Sequence, residues 1–281
     1  MRVLITGAGG QVGHELVAEL GGHDLVAADR ASLDITDRAT VLAAVTSLRP
    51  DAIVNAGAYT AVDACETEVD RAYLTNALAV RHLGEAARRV GAHLVHFSTD
   101  YVFDGTKPTA YDEWDTPNPQ SVYGRSKYAG ELELLGAPDT TVVRVAWVFG
   151  EHGGNIVKTI LRVAADQPTL RFVTDQRGRP TAAADVAAFV RTIVAERRPG
   201  LFHATNLGEV SWYEFARAVM ESAGHDPDRV EPITTAEMVP PRPAPRPENS
   251  VLDDVALRLS GLTPLPHYRE SLDRVVAALT R

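Results

Sequence analysis

Short apolar runs alternate with longer amphipathic segments through the first half of the chain. The runs are too short for helices and apolar on both faces, which predicts strands buried inside a parallel sheet. The longer segments repeat apolar residues at helical spacing. The predicted strands span 3–5, 25–28, 52–54, 94–97 and 142–148, and the predicted helices span 12–20, 39–48, 71–90 and 123–135. This alternation predicts an α/β fold with a doubly wound parallel sheet of the Rossmann type.

The second half of the chain is less regular. We expect a Rossmann dinucleotide-binding domain over 1–150 and a smaller C-terminal α/β substrate-binding domain over 151–281, with some segments returning to the first. The proline-rich stretch 239–248 excludes a helix or an inner strand. We interpret it as an ordered extended loop against the ligand, with a disordered linker as the alternative. Further predicted helices span 156–165, 184–196 and 212–223, and weaker strand patterns span 170–173 and 201–204.

The 281 residues carry a net charge of −9, with acidic and basic side chains interspersed. A nucleic-acid-binding protein normally has a basic face, so this charge argues against that class. No apolar stretch approaches the roughly 20 residues of a membrane span, and the first residues do not resemble a signal peptide. The lone cysteine, Cys65, excludes an intrachain disulfide and is interpreted as a bystander. We expect a cytoplasmic protein that binds neither nucleic acid nor membrane.

A glycine-rich turn joins the first predicted strand to the first predicted helix. Gly7 permits a tight turn, Gly10 lets a pyrophosphate approach the backbone, and Gly13 lets helix and strand pack closely. The exposed amides at the helix start, beside Gln11 and Val12, supply an anion site. A glycine turn without a ligand is the alternative, but its place between strand and helix favours a bound dinucleotide.

Two residues after the second strand bear on the choice of cofactor. Asp29 can accept hydrogen bonds from a ribose 2′-hydroxyl, which favours NAD, whereas Arg30 can pair with a 2′-phosphate, which favours NADP. The cofactor is therefore expected to be NADPH or NADH. Asp34 and Ile35 are expected near the adenine, although Asp34 can instead cap a helix.

Small residues follow the third predicted strand. Ala56, Gly57 and Ala58 leave room for a cofactor to lie across the carboxyl end of that strand, the usual ligand edge of an open α/β sheet. A tight turn without a ligand is the alternative. Because this segment shares its edge with the glycine-rich turn, the ligand interpretation is favoured.

A candidate catalytic set is spread over two elements. Tyr123 and Lys127 lie four residues apart and share one face of a helix. An ammonium group near a phenol favours the phenolate and lowers its pKa from about 10. Thr99 ends the fourth predicted strand at the ligand edge and can orient a carbonyl oxygen toward Tyr123. The tyrosine–lysine pair alone is weak evidence, but the glycine turn, Thr99 and this pair in that order form a strong ensemble.

These features together resemble the extended short-chain dehydrogenase/reductases. Within that family, the chain is most similar to the branch that reduces the 4-keto group of dTDP-6-deoxy sugars, and the resemblance covers essentially the whole length. The segments that carry it are Gly-Gly-Gln-Val-Gly at 9–13, Ala-Val-Asp at 61–63, Ser-Thr-Asp-Tyr-Val-Phe at 98–103, Tyr-Gly-Arg-Ser-Lys at 123–127, Arg-Val-Ala-Trp-Val-Phe at 144–149, Asp-Gln-Arg-Gly-Arg-Pro-Thr at 175–181 and Arg-Pro-Glu-Asn-Ser at 246–250.

The resemblance implies a reaction and a set of roles. Hydride would pass from NADPH or NADH to C4 of dTDP-4-dehydro-6-deoxy-L-mannose, giving dTDP-L-rhamnose. Tyr123 would donate the proton, Thr99 would position the carbonyl, and Lys127 would tune Tyr123 and hold the cofactor ribose. The substrate contacts expected from it, besides Thr99, are Asp100, Trp147, Asn155 and Arg246. A core position for the tryptophan and a solvated arginine remain alternatives.

Some relatives in that branch form metal-assisted dimers through three glutamates. Glu15 matches the first, but Ala-Ala-Ala-Asp at 182–185 and the final Leu-Thr-Arg contain no glutamate. His93 and His96 are three apart on a strand, so they point to opposite faces. We therefore predict no metal site, and a monomer or weak homodimer.

Three other functions remain open. One is an epimerase or dehydratase on the same scaffold; a dehydratase needs an acid pair, and Tyr101 stands where the second acid would be expected, which favours a simple reductase. A 4-ketoreductase for another dTDP-deoxysugar would share these motifs. A nonenzymatic NADP-binding regulatory subunit, similar to the β subunit of methionine adenosyltransferase, is disfavoured because Thr99, Tyr123 and Lys127 are all retained.

Overall fold

The computed structural model describes all 281 residues and is built around a six-stranded sheet whose neighbouring strands are all parallel. The strand order is β10-β5-β4-β3-β1-β2. The strands are β1 Arg2–Thr6, β2 Asp24–Ala28, β3 Ala52–Asn55, β4 His93–Thr99, β5 Thr140–Val145, β6 Val148–Phe149, β7 Leu170–Val173, β8 Arg177–Gly178, β9 Thr181–Ala182, β10 Gly200–His203, β11 Val210–Ser211 and β12 Val230–Ile233.

Helices cover both faces of this sheet. Successive side chains of β1 point to opposite faces of the sheet. Val3 and Ile5 join the core under α1 and α8, while Leu4 joins the core under α2 and α5. The helices are α1 Gln11–Glu19, α2 Arg38–Leu48, α3 Val62–Cys65, α4 Val69–Tyr73, α5 Ala79–Val90, α6 Val122–Glu133, α7 Ile156–Asp166, α8 Ala183–Glu196, α9 Trp212–Ser222, α10 Val255–Leu259 and α11 Tyr268–Leu279. The predicted doubly wound α/β fold is confirmed.

The strand order reverses at β1. The chain runs from β1 outward to β2 and then crosses back to β3 on the other side of β1. Ligands of open α/β sheets bind at the carboxyl ends of the strands where the order reverses. The turns after β1 and β3 meet there, because a Cβ added at Gly7 would lie 2.5 Å from the Gly57 amide nitrogen.

The remaining strands form three short pairs outside the central sheet: β6 with β9, β7 with β12, and β8 with β11. They surround a second core from α7, α9 and α11 that includes Phe149, Phe215 and Leu272. Strand β10 does not belong to this unit, because it pairs in parallel with β5 and completes the central sheet.

Two predicted elements need correction. The strand predicted at 142–148 ends at Val145, because Trp147 adopts a left-handed backbone with φ of 48° that turns the chain out of the sheet. The helix predicted at 71–90 begins at Val69 and contains a π-helical segment, Leu74–Leu78. The π segment places Asn76 where its side chain bonds both the backbone of Tyr59 and the hydroxyl of Ser126.

None of the helices combines the length and the apolar character that crossing a bilayer requires. The proline-rich stretch is an extended segment without regular secondary structure between Val239 and Glu248. It reaches α3, where the Ala244 amide donates to the Asp63 carboxylate.

Candidate active site

Two neighbouring clefts open at the carboxyl edge of the sheet and share Gly10, Ala56 and Ala58. The first has a volume of about 340 Å³ and the second about 550 Å³. Both lie within the size range of small-molecule sites. The predicted cofactor residues that line the first are Gly7, Gly10, Asp29, Arg30, Asp34, Ile35, Ala56, Gly57 and Ala58. We name this the cofactor cleft, and its continuous neighbour the reaction cleft.

The glycine-rich turn forms the floor of the cofactor cleft. A Cβ at Gly13 would lie 2.2 Å from the Gly7 carbonyl oxygen, so the turn closes onto α1 only with glycine there. A Cβ at Gly9 would meet nothing within 4 Å, because this part of the turn faces open space. Helix α1 begins after Gly10 without a side-chain cap, which leaves its first amides free for an anion. The turn fits a dinucleotide pyrophosphate.

Asp29 and Arg30 differ in how they are engaged. The Asp29 carboxylate accepts from both the amide and the hydroxyl of Ser32, at 2.9 and 2.8 Å, and these bonds lower its pKa. Arg30 is exposed on the lip of the cofactor cleft.

Asp34 accepts from Thr36, and these hydrogen bonds, with the nearby Arg30 charge, lower its pKa. Asp34 does not cap α2, because that role belongs to Asp37.

The reaction cleft brings the predicted catalytic residues together. Thr99 ends β4, and α6 carries Tyr123 and Lys127 on its inner face. Ser121 caps α6 by accepting from the Gly124 amide at 3.0 Å, which fixes where the helix begins. A Cβ at Gly124 would lie 2.2 Å from the Tyr101 carbonyl oxygen, so glycine lets α6 approach the end of β4.

Burial raises the pKa of Tyr123, and the nearby Thr99 hydroxyl opposes that rise. Lys127 is not among the groups that shift this pKa, so its tuning of Tyr123 stays a prediction. The Lys127 ammonium instead donates to the Phe97 carbonyl oxygen at 2.6 Å. Lys127 is 2% exposed, and burial lowers its pKa to about 8.

Two indoles form one wall of the reaction cleft. Trp147 and Trp212 stack with ring centroids 3.5 Å apart and 6° between the planes. The Trp147 indole N–H donates to the Ser250 hydroxyl at 3.1 Å. A Cβ at Gly178 would lie 2.4 Å from the Trp147 ring, so this indole is held on several sides. An aromatic wall of this kind suits a sugar face.

The predicted residues Gln11, Val12 and Asp100 also line the reaction cleft. Asn155 and Arg246 do not belong to its lining. The Asn155 amide caps α7 and donates to the Gly150 carbonyl oxygen at 2.8 Å. Arg246 pairs with the Asp63 carboxylate at 2.9 Å. Direct substrate contact by these two residues stays a prediction.

Several lining residues were missed by the sequence analysis. A Tyr or Thr in a loop is too common to single out, and Trp212 lies far from the glycine-rich turn in sequence. Helix-start position was the available signal for Trp212, since Ser211 and Glu214 form a capping box around it. The missed residues are Gly9, Leu33, Thr36, Tyr59, Arg71 and Thr75 in the cofactor cleft, and Thr60, Val62, Phe97, Ser98, Tyr101, Val145, Val148, Gly153, Gly154 and Trp212 in the reaction cleft.

No group of three or more histidine, cysteine, aspartate or glutamate side chains is arranged to hold a metal ion. The fold, the glycine-rich turn and the Thr99–Tyr123–Lys127 set define a Rossmann-fold oxidoreductase of the extended short-chain dehydrogenase/reductase class. The sequence matches the family described as RmlD substrate binding domain over residues 1–281, and the chain belongs to that family.

Relatives of known name cover nearly the whole chain. A dTDP-4-dehydrorhamnose reductase from Mycobacterium tuberculosis is 45% identical over 99% of this chain and 93% of its own length. A probable dTDP-4,6-dihydroxy-2-methyloxan-3-one 4-ketoreductase from Streptomyces antibioticus is 44% identical over 97% and 93%. The crystal structure of dTDP-4-dehydrorhamnose reductase from Bacillus anthracis in complex with NADP superposes with a TM-score of 0.95, at 38% identity over 99% of each chain.

Proposed function

We propose that this protein reduces the 4-keto group of dTDP-4-dehydro-6-deoxy-L-mannose to give dTDP-L-rhamnose, with NADPH as the reductant. The observation that carries the proposal is the convergence of Thr99, Tyr123 and Lys127 in a cleft continuous with the glycine-rich turn. The reductases from M. tuberculosis and B. anthracis, with NADP bound in the latter, support it.

Each member of the set has a task in this proposal. Bound NADPH supplies hydride chemistry at the sugar carbonyl carbon. The Tyr123 hydroxyl donates a proton to the carbonyl oxygen, and its raised pKa keeps that proton in place until negative charge develops on the oxygen. Thr99 holds the same oxygen toward Tyr123. The Lys127 ammonium donates one N–H to the Phe97 carbonyl oxygen, and two N–H groups are left to bind a ribose hydroxyl.

The hydrogen bonds that Asp29 already accepts support NADPH over NADH as the cofactor. Its carboxylate already accepts two bonds from Ser32, while Arg30 is exposed at the lip of the cofactor cleft. A guanidinium there matches a ribose 2′-phosphate in charge and in hydrogen-bond geometry. We therefore assign Arg30 to that phosphate.

Reduction of another dTDP-deoxysugar is the second candidate. The S. antibioticus 4-ketoreductase is 44% identical, against 45% for the M. tuberculosis enzyme, so overall identity does not separate the two sugars. The dTDP part is common to both, so the cleft must distinguish the two substrates by its contacts with the sugar ring.

Product analysis tests both candidates. The protein is incubated with NADPH and either dTDP-4-dehydro-6-deoxy-L-mannose or dTDP-4,6-dihydroxy-2-methyloxan-3-one, and cofactor absorbance and the NMR spectrum of the product are followed. Stoichiometric NADPH oxidation with dTDP-L-rhamnose as product supports the proposal, and turnover confined to the other sugar supports the second candidate. Binding of both sugars without oxidation of NADPH would favour a regulatory role and contradict both.

A further inference from the structure

The residue before Tyr123 is held by a carboxylate from another part of the chain. The amide of Val122, the first residue of α6, donates to Oε1 of Glu66 at 2.8 Å. Glu66 directly follows α3 and precedes Val122 by 56 residues in the sequence. The first amides of a helix have no partner within the helix, and a carboxylate there also meets the positive end of the helix dipole. Glu66 therefore helps to fix where α6 begins.

Other contacts hold the same turn of α6. Ser121 accepts from the Gly124 amide at 3.0 Å, so Glu66 and Ser121 anchor the residues on the two sides of Tyr123. The ring of Tyr123 packs against a small apolar cluster that contains Cys65 of α3. Residues at the end of α3 thus hold Tyr123 both through its backbone and through its ring.

The position of α3 depends in turn on the proline-rich stretch. The helix spans only Val62–Cys65, and no side chain caps its start. A single helical turn has little stability of its own. Asp63 connects it to the stretch, since Oδ1 accepts from the Ala244 amide at 3.2 Å and Oδ2 accepts from Arg246 at 2.9 Å. Arg242 lies 3.6 Å from the same Oδ2. These contacts place α3 against the proline-rich stretch.

A second route leads from the same stretch to Tyr123. The guanidinium carbon of Arg246 lies 6.0 Å from the centre of the Tyr101 ring. That ring packs edge-on against Tyr123, with centroids 5.5 Å apart. A test of the route through α3 must therefore separate it from the route through Tyr101.

We propose that Glu66 and Asp63 position the proton donor, Glu66 by anchoring the first turn of α6 and Asp63 by holding α3 on the proline-rich stretch. Neither residue lines a cleft, so both are positioning residues. The inference rests on the proposed function and extends it, because it makes the proline-rich stretch responsible for the placement of Tyr123. A misplacement of about 1 Å at a reacting group can cost about 10²-fold in rate.

The first kinetic test removes the Glu66 carboxylate. In Glu66→Ala we expect kcat to fall by about 10- to 100-fold, with KM for the sugar and Kd for NADPH within about twofold of the unmodified protein. Glu66→Gln keeps an oxygen that accepts from the Val122 amide, so its kcat should stay within about threefold. Asp70→Ala is the control, because Asp70 is an exposed carboxylate nearby on α4.

A double-mutant cycle tests the route through α3. Asp63→Ala should lower kcat by about threefold to tenfold, because α3 is then released from the proline-rich stretch. If Asp63 acts through Glu66, the double variant Asp63→Ala/Glu66→Ala has the kcat of Glu66→Ala alone. If Asp63 acts through Arg246 and Tyr101 instead, the two fold-losses multiply.

Amide hydrogen exchange needs no substrate and so separates this inference from the proposed function. Mass spectrometry follows the exchange of the peptide covering residues 119–127 in the protein without ligand. We expect exchange to be at least about tenfold faster in Glu66→Ala and in Asp63→Ala, because the first turn of α6 then opens more easily. Exchange in Glu66→Gln and in Asp70→Ala should equal that of the unmodified protein.

The outcomes decide between the two ideas. Unchanged exchange or kcat in Glu66→Ala, a loss confined to KM, a Glu66→Gln variant as slow as Glu66→Ala, or multiplied losses in the double variant overturns the positioning role. Faster exchange in both alanine variants of a protein that reduces neither sugar supports the connection through α3 and overturns the proposed function. If Glu66→Ala fails to fold, Glu66→Asp, whose shorter side chain draws the acceptor away from Val122, is measured in its place with the same expectations.

Discussion

Trp147 and Trp212 form a parallel stack across the boundary between the nucleotide-binding sheet and α9, with centroids 3.5 Å apart. Trp147 leaves the end of β5 with a left-handed backbone, and Trp212 begins α9 directly after its capping serine. The aromatic wall of the reaction cleft, which we propose faces the sugar, is therefore made by two separate parts of the chain, and its shape depends on how they meet.

Gly178→Ala tests this wall. The added methyl group would stand 2.4 Å from the Trp147 ring, so the indole must shift. An overpacked contact of this kind costs about 1–3 kcal/mol, and we expect KM for the nucleotide sugar to rise about tenfold while Kd for NADPH is unchanged. Gly22→Ala is the control, since a Cβ there meets nothing within 4 Å. Equal KM values in steady-state kinetics for the two variants would contradict the assignment.

Removal of the Tyr123 hydroxyl tests the proton donor. Tyr123→Phe keeps the ring and its packing, so we expect NADPH binding within about twofold of the unmodified protein. Turnover should fall by about 10² to 10⁴, the usual contribution of a positioned general acid. Tyr128→Phe removes a hydroxyl from the same helix away from the clefts and serves as the control. Near-normal turnover of Tyr123→Phe would exclude it as the donor.

Arg30→Ala tests the cofactor preference. Loss of a charged hydrogen bond to the 2′-phosphate costs about 1.5–3 kcal/mol, so we expect Kd for NADPH to rise at least about tenfold. NADH lacks that phosphate, and its Kd should change little. Fluorescence titration with both cofactors gives the ratio directly. A parallel loss for NADH would show that Arg30 supports the cleft rather than the phosphate.

Asp100→Asn should raise the free energy of unfolding, by an amount that depends on pH. The pKa of Asp100 is about 6 in the folded protein and 3.8 for an ordinary aspartate. The folded state therefore binds more protons between these values, and its stability falls as pH rises through this window. At pH 8 the variant should be more stable by on the order of 3 kcal/mol.

That advantage shrinks by about half at pH 5, because the folded carboxyl is then largely protonated. Urea unfolding at the two pH values measures both differences. A variant that is less stable than the unmodified protein at pH 8 would show that the burial of Asp100 is compensated by contacts that asparagine does not make.

The sheet and the cofactor cleft were predictable because each depends on a local pattern. Buried strands carry short, mostly apolar runs, and the glycine spacing at 7, 10 and 13 is visible within one turn. The order of motifs along the chain then placed Thr99, Tyr123 and Lys127 at one edge of the sheet.

What the sequence did not predict depends on distant contacts. Two-residue strands such as β8 and β9 have no periodicity to detect, and the π segment at Leu74–Leu78 differs from a regular helix only in its hydrogen bonds. Trp212 joins the cleft through stacking on a residue far away in sequence. The raised pKa of Tyr123 could not be foreseen either, because it follows from enclosure and not from the spacing to Lys127.

The position of β10 has a consequence for how this molecule can be divided. Gly200–His203 closes the edge of the sheet beside β5, although α7 and four strands of the second unit precede it in sequence. A fragment ending before residue 200 would leave one edge of β5 unpaired, the edge that β10 covers, and open strand edges promote association between chains. The two lobes are interleaved along the polypeptide, so neither can be exchanged between relatives as a single contiguous cassette.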